Sequence, residues 1–254
     1  MLLTVIFDTI RHSHVEPYEY ALLFFVIFLS GLSFLAVKRL SQHYLKLALS
    51  FTGAFLFALC MMEMIPSVYS SGDNGIGLYI LAGFFSQIIM EFFSEGIEHG
   101  HIHVHRHHEN TFPLTVMIGL CLHSFLEAMP LPDYDASNHD HNHSLLYAII
   151  LHHIPIAVAL MSMLKSSGIK NSTAIICLAI FAAMPPAGAF TSSLLGSSLL
   201  TNMSEYYDKI MAVVIGIFLH VSTTILFESD HDHRFNLKKL IVVILGASLA
   251  FVHF

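Results

Sequence analysis

Leu120-Cys-Leu-His-Ser-Phe-Leu-Glu-Ala-Met-Pro130 and Leu145-Leu-Tyr-Ala-Ile-Ile-Leu-His-His-Ile-Pro155 place ionisable side chains in the middle of two long apolar runs. In the first run His123 and Glu127 are four residues apart, so on a helix they share one face. In the second, His152 and His153 stand just before Pro155. Leaving an unpaired imidazole or carboxylate in hydrocarbon costs on the order of several kcal/mol, so such groups face a polar pathway, a partner or a bound ion. A route for a metal ion is the leading reading of this pair of runs.

Composition sets the class. A hydrophobic share of 55%, a charged share of 11% and a mean hydropathy of +0.69 do not fit a soluble domain, in which about 25% of residues are charged. The chain reads as an all-α polytopic membrane protein. Its net charge of −7 says little about partners, because the position of charge along a membrane chain matters more than its sum. Nothing points to nucleic acid. Cys60, Cys121 and Cys177 lie in apolar segments without a Cys-x-x-Cys pair and read as small buried hydrophobes. Met1 to Ile10 has neither a basic start nor a small-residue cleavage site, so no cleaved signal peptide is expected.

Apolar runs long enough to span a bilayer occur at Tyr20 to Val37, Leu47 to Ile65, Ile76 to Phe93, Phe112 to Met129, Leu145 to Leu164, Thr173 to Leu195, Ile210 to Phe227 and Leu237 to Val252. Eight transmembrane helices are therefore expected, as one membrane domain over 1–254. Lysine and arginine accumulate on the cytoplasmic side. Alternate loops hold Lys38, Arg39, Lys46, Arg106, Lys165, Lys170, Arg234, Lys238 and Lys239, against Arg11 and Lys209 on the other side. That bias predicts both termini outside the cytosol, a cytoplasmic histidine-rich loop at 94–111 and an extracytoplasmic His/Asp-rich loop at 132–144.

His123 lies about 15 Å into a hydrocarbon layer about 30 Å thick, counting about 1.5 Å per residue from Pro113. His152 and His153 reach a comparable depth on the antiparallel neighbour. Divalent transition metals accept imidazole nitrogen and carboxylate oxygen, and a site that must release its ion favours these over a thiolate cage. The competing reading is that the histidines hydrogen-bond between helices and hold the bundle together. Glu63 and His220 each stand alone in their spans as weaker candidates for the pathway.

The loop tract His99, His101, His103, His105, His107 and His108 is too polar and short to pack as a core. It reads as a labile metal-binding accessory, with a solvated linker as the alternative. His139, His141 and His143 with Asp133, Asp135 and Asp140, and His12 and His14 with Glu16, would concentrate cations at an entrance or simply keep those segments soluble. His231 and His233, alternating with Asp230 and Asp232, would do the same on the cytoplasmic side.

With these residues set out, the chain resembles the ZIP (Zrt/Irt-like protein) family of divalent metal transporters. His-Ser-Phe-Leu-Glu at 123–127 is similar to the family's His-Asn/Ser-x-x-Glu/Asp, and His-His-Ile-Pro at 152–155 to its His-x-x-Pro. Gly53 to Pro66 is similar to the family's second span, with Glu63 in place of a histidine, and Gly216-Ile-Phe-Leu-His220 to its seventh. The resemblance implies that His123, Glu127 and His152 ligate metal at the main site, while Ser124 and His153 flank a neighbouring second one. Ile156 stands where many members have glutamate or histidine, and Pro185-Pro186 where bacterial members often have Glu-Pro. Both departures fall on the second metal position, so a single metal is expected.

The function expected is uptake of Zn2+, or of Fe2+, Mn2+ or Cd2+, across the cell membrane, which is the inner membrane if the source is bacterial. No prosthetic group and no enzymatic activity are expected. The expected partners are metal ions and the lipid bilayer, with a homodimer left open. A membrane-embedded metalloenzyme is the alternative from another class, but the His-Glu-x-x-His signature of a zinc protease is absent. An exporter of the same ions remains open, because ligands do not set direction.

Overall fold

Hydrocarbon offers no partner to a backbone N–H or C=O, so an apolar run satisfies them within itself and becomes helix. The computed structural model describes residues 16–36, 41–70, 72–94, 114–132, 143–199, 203–227 and 237–251, and among them there are eight helical rods and no strand. We number these α1 (Pro17–Ser33), α2 (Gln42–Ser70), α3 (Ile76–Ser94), α4 (Leu114–Glu127), α5 (Ser144–Ser166), α6 (Asn171–Leu199), α7 (Met203–Phe227) and α8 (Leu237–Ala250). Five of them, α2, α3, α5, α6 and α7, are long and apolar enough to cross a membrane. The protein is a multi-pass membrane protein.

Helix ends depart from the apolar runs for local reasons. α7 starts at Met203 and not Ile210, because helical hydrogen bonding continues through the polar turn carrying Glu205, Asp208 and Lys209. α4 stops at Glu127, short of Met129. Pro130 lacks the N–H that would bond back to Leu126 and disfavours helical backbone at Met129, and the chain goes on in tighter turns in which the Met129 N–H donates to the Leu126 carbonyl and the Leu131 N–H to the Ala128 carbonyl. In α2 the residues Cys60–Met64 form a π turn, in which the Ile65 N–H donates to the Cys60 carbonyl. The wider turn comes immediately before Pro66, whose ring would otherwise crowd the turn preceding it. α5 and α6 continue without a break through Pro155 and through Pro185 and Pro186.

Two groups of helices result. α1, α4, α5 and α6 pack on one another, as do α2, α3, α7 and α8, and the groups meet mainly where α3 lies on α4 and α2 on α5. Glycine allows the closest approaches. A Cβ at Gly83 on α3 would overlap the Val213 carbonyl of α7, and one at Gly216 on α7 would overlap the Ile80 carbonyl of α3.

Buried apolar side chains form two layers. One contains Phe55, Leu59, Ala128, Leu131, Leu145, Ile149 and Phe218, towards the end of the bundle where α5 begins. The other contains Leu49, Met117, Leu120, Ile156, Leu160, Leu178 and Val221, towards the opposite end. On α4 the residues from Cys121 to Glu127, and on α5 those from Leu151 to Pro155, fall between the layers. His123, Ser124, Glu127, His152 and His153 therefore lie in a central belt between the two apolar layers.

Candidate metal site

His123 and Glu127 lie one turn apart on α4, and the His123 Nε2 is 3.0 Å from the Glu127 Oε1 with both side chains fully buried. His152 comes from α5, its ring centroid 6.1 Å from that of His123. One potential ligand atom from each of His123, Glu127 and His152 lies within 4.8 Å of the other two, and all three residues are buried. Ligands at about 2.0–2.2 Å from a tetrahedral zinc ion lie about 3.4 Å from one another, so binding an ion would draw the wider-spaced of these atoms closer together. The helix itself helps. α4 ends at Glu127, and the partial negative charge of its terminal carbonyls favours a cation beside them.

His153 has both ring nitrogens engaged. Nδ1 is 2.8 Å from the Ile149 carbonyl and Nε2 is 2.9 Å from the Ser124 hydroxyl. A neutral ring there donates Nδ1–H to Ile149 and accepts from Ser124 at Nε2, 3.7 Å from the Glu127 Oε2. The ring stacks at 5.7 Å on Phe181 of α6. Ser124 and His153 thus border the His123, Glu127 and His152 group as a hydrogen-bonded pair. Ile156, at the position of the first departure from the family pattern, is fully buried among apolar neighbours.

The remaining candidates sit elsewhere. Glu63, within the π turn of α2, accepts hydrogen bonds from the Ser144 hydroxyl at 3.1 and 3.2 Å. Ser144 opens α5 eight residues before His152, which puts this contact about 12 Å along the helix from the central belt. His220 of α7 is level with the belt, but its Nε2 faces the Glu91 Oε2 of α3 at 3.5 Å and its ring meets the edge of Phe84 at 5.0 Å. The histidines of 99–108, together with His12, His14, His139, His141, His231 and His233, lie outside the described residues.

Three residues not singled out in the sequence join these constellations. Gln87 of α3 is fully buried, its Oε1 3.0 Å from the His123 Nδ1. Glu91, one turn further, is the partner of His220. The signal for both was present as a glutamine and a glutamate four residues apart in an otherwise apolar span. Glu19 is almost fully buried near the start of α1, 3.0 Å from the Nδ1 of His143. It falls one residue before the apolar run at Tyr20, which hid it.

A bundle of apolar helices enclosing a belt of imidazole and carboxylate has the form of a membrane protein that handles metal ions. The family model described as ZIP zinc transporter matches residues 98–253, more than half of the chain, and the chain belongs to that family of divalent metal transporters. The match covers α4 to α8 and so both histidine motifs. α1 to α3, including Glu63 and Gln87, precede it. Comparison with curated proteins returns no match. Family members are transporters and not enzymes, and metal ions are their substrates.

Proposed function

We propose that the chain carries Zn2+ into the cytosol through a single intramembrane site made by His123, Glu127 and His152, with Fe2+, Mn2+ and Cd2+ as further candidate ions. The observation that carries this reading is the buried group of two imidazoles and a carboxylate with ligand atoms within 4.8 Å of one another, in a chain of the ZIP family. A hydrated ion entering the belt exchanges waters for these ligands, and the one carboxylate offsets part of its charge. Neutral imidazole is needed for binding, so metal and protons compete. Nitrogen and oxygen ligands release a first-row ion more readily than a closed thiolate site, which suits transit.

The direction and sidedness come from the lysine and arginine bias, which puts both termini outside and the 94–111 loop in the cytosol. Ions would then approach past Glu63 and Ser144 and leave towards the histidine-rich loop. His220 with Glu91 is a subsidiary contact of the pathway, and the pair Ser124 and His153 a border to the site, not a second metal position.

Purified protein in proteoliposomes tests this reading, with Zn2+, Fe2+, Mn2+ and Cd2+ compared for uptake in vesicles of defined protein orientation. His123→Ala, Glu127→Ala and His152→Ala should each abolish most transport at equal incorporation. Near-normal transport by His123→Ala or Glu127→Ala would sink the site assignment, and transport only out of the cytoplasmic face would reverse the direction.

A further inference from the structure

α3 is the least buried of the five long spans and α5 the most. Its one fully buried polar side chain among the described residues is Gln87, a turn beyond Gly83 on the face turned to α7 and α4. A buried amide is costly unless its hydrogen bonds are made, and in a lipid-embedded bundle water is not at hand to make them. Gln87 directs its Oε1 at the Nδ1 of His123, 3.0 Å away, while the opposite ring nitrogen of His123 faces Glu127.

We infer that Gln87 is a positioning residue for metal transport: its side-chain carbonyl accepts the Nδ1–H of His123 and so presents the Nε2 lone pair to the ion beside Glu127. The inference rests on His123 being a ligand of the transport site. An imidazole coordinates through one nitrogen only if the other carries the proton, and an acceptor on that second nitrogen fixes both tautomer and ring angle. An amide suits a site of transit. It orients the ring without adding a second negative charge that would hold the ion more tightly. The bond also links α3 to α4, so the ring is held from the helix group opposite its own.

The test uses Gln87→Leu, which removes the acceptor, and Gln87→Glu, which keeps one and adds charge, in proteoliposomes beside His123→Ala. Gln87→Leu should raise the apparent KM for Zn2+ by about tenfold to a hundredfold, the usual range for loss of such an outer partner, with Vmax less affected. Gln87→Glu should keep a KM no higher than wild type while lowering Vmax through slower release. A second readout is proton and nitrogen NMR of histidine-labelled, Zn2+-loaded protein, with His123 assigned by difference against His123→Ala. With Nε2 on the ion, the Nδ1–H of wild type should show the downfield proton shift of a hydrogen bond to Gln87, and Gln87→Leu should lose that shift.

Gln87→Leu with a wild-type KM overturns the inference, as does an unchanged His123 Nδ1–H shift in that variant. Equal loss of Vmax in both variants with unchanged KM overturns it too, since that is the mark of a purely structural role. These outcomes leave the transport site standing if His123→Ala is still inactive. Normal uptake by His123→Ala instead removes the site assignment and this inference together.

Discussion

The Nε2 of His153 lies 2.9 Å from the Ser124 hydroxyl, and this contact ties α5 to α4 beside the group of His123, Glu127 and His152. Because Nδ1 is already committed to the Ile149 carbonyl, His153 can turn a lone pair to a metal only if Ser124 gives up its bond. His153→Ala should therefore reduce Zn2+ uptake less than His152→Ala, and Ser124→Ala should reduce it least. Uptake by the three variants at matched incorporation checks the order. Loss in Ser124→Ala as deep as in His152→Ala, or two fully occupied adjacent metals in Zn2+-soaked crystals, would contradict it.

Gly188 of α6 lies against the backbone of α4 at Phe125, between His123 and Glu127. A Cβ there would overlap the Phe125 carbonyl oxygen, and because the clash is with backbone it cannot be relieved by a side-chain rotation. Gly188→Ala should displace the turn that carries His123 and Glu127 and destabilise the protein by about 1–3 kcal/mol, the range for overpacked interiors. Lower thermal stability in detergent together with a raised KM for Zn2+ is the expected result. An unchanged KM would show that α4 absorbs the shift away from its ligands.

The number of helices and the two histidine motifs were legible because they depend on local features, apolar run length and residue spacing. What lay beyond reach was orientation. α3 and α5 are almost equally apolar, yet one is mostly exposed and the other mostly buried. Lipid tails are as apolar as a protein core, so hydropathy cannot say which face of a span meets protein. That is why the sequence alone does not reveal the partners of Gln87 and Glu91, although both stand out chemically in α3. Glu19 was lost for a different reason: a capping box with Glu16 and Pro17 at the first helical position start α1 before its apolar run. Its partnership with His143 joins residues far apart in the chain, which spacing does not encode.

Glu63 offers a case where a charged residue near the pathway should matter without being a ligand of the central group. It is held by the Ser144 hydroxyl at the start of α5, about 12 Å along that helix from His152. Glu63→Gln should raise the apparent KM for Zn2+ by no more than about tenfold, or about 1.4 kcal/mol, and leave Vmax near wild type. Initial rates over a range of Zn2+ concentrations separate the two parameters. Complete loss of transport at saturating Zn2+ would make Glu63 a member of the transport site itself.

His220 and Glu91 should show the opposite pattern. Their 3.5 Å contact joins α7 to α3 on the far side of Gln87 from Gly83, with Glu91 the more exposed partner. If ions bind at His123, Glu127 and His152 and pass this pair afterwards, His220→Ala and Glu91→Ala should lower Vmax and leave KM nearly unchanged.

Replacing His99, His101, His103, His105, His107 and His108 together by serine should do less than any of these changes. A polar histidine tract acts by local concentration and mass action, and the buried group of His123, Glu127 and His152 is the proposed transport site. The serine variant should keep more than about half of wild-type uptake at saturating Zn2+ and equal surface expression, with the difference largest at low metal. The comparison with His123→Ala in one assay decides the matter. If the six serines abolish uptake as fully as His123→Ala does, the tract is an obligatory relay, and transit through the buried group alone is insufficient.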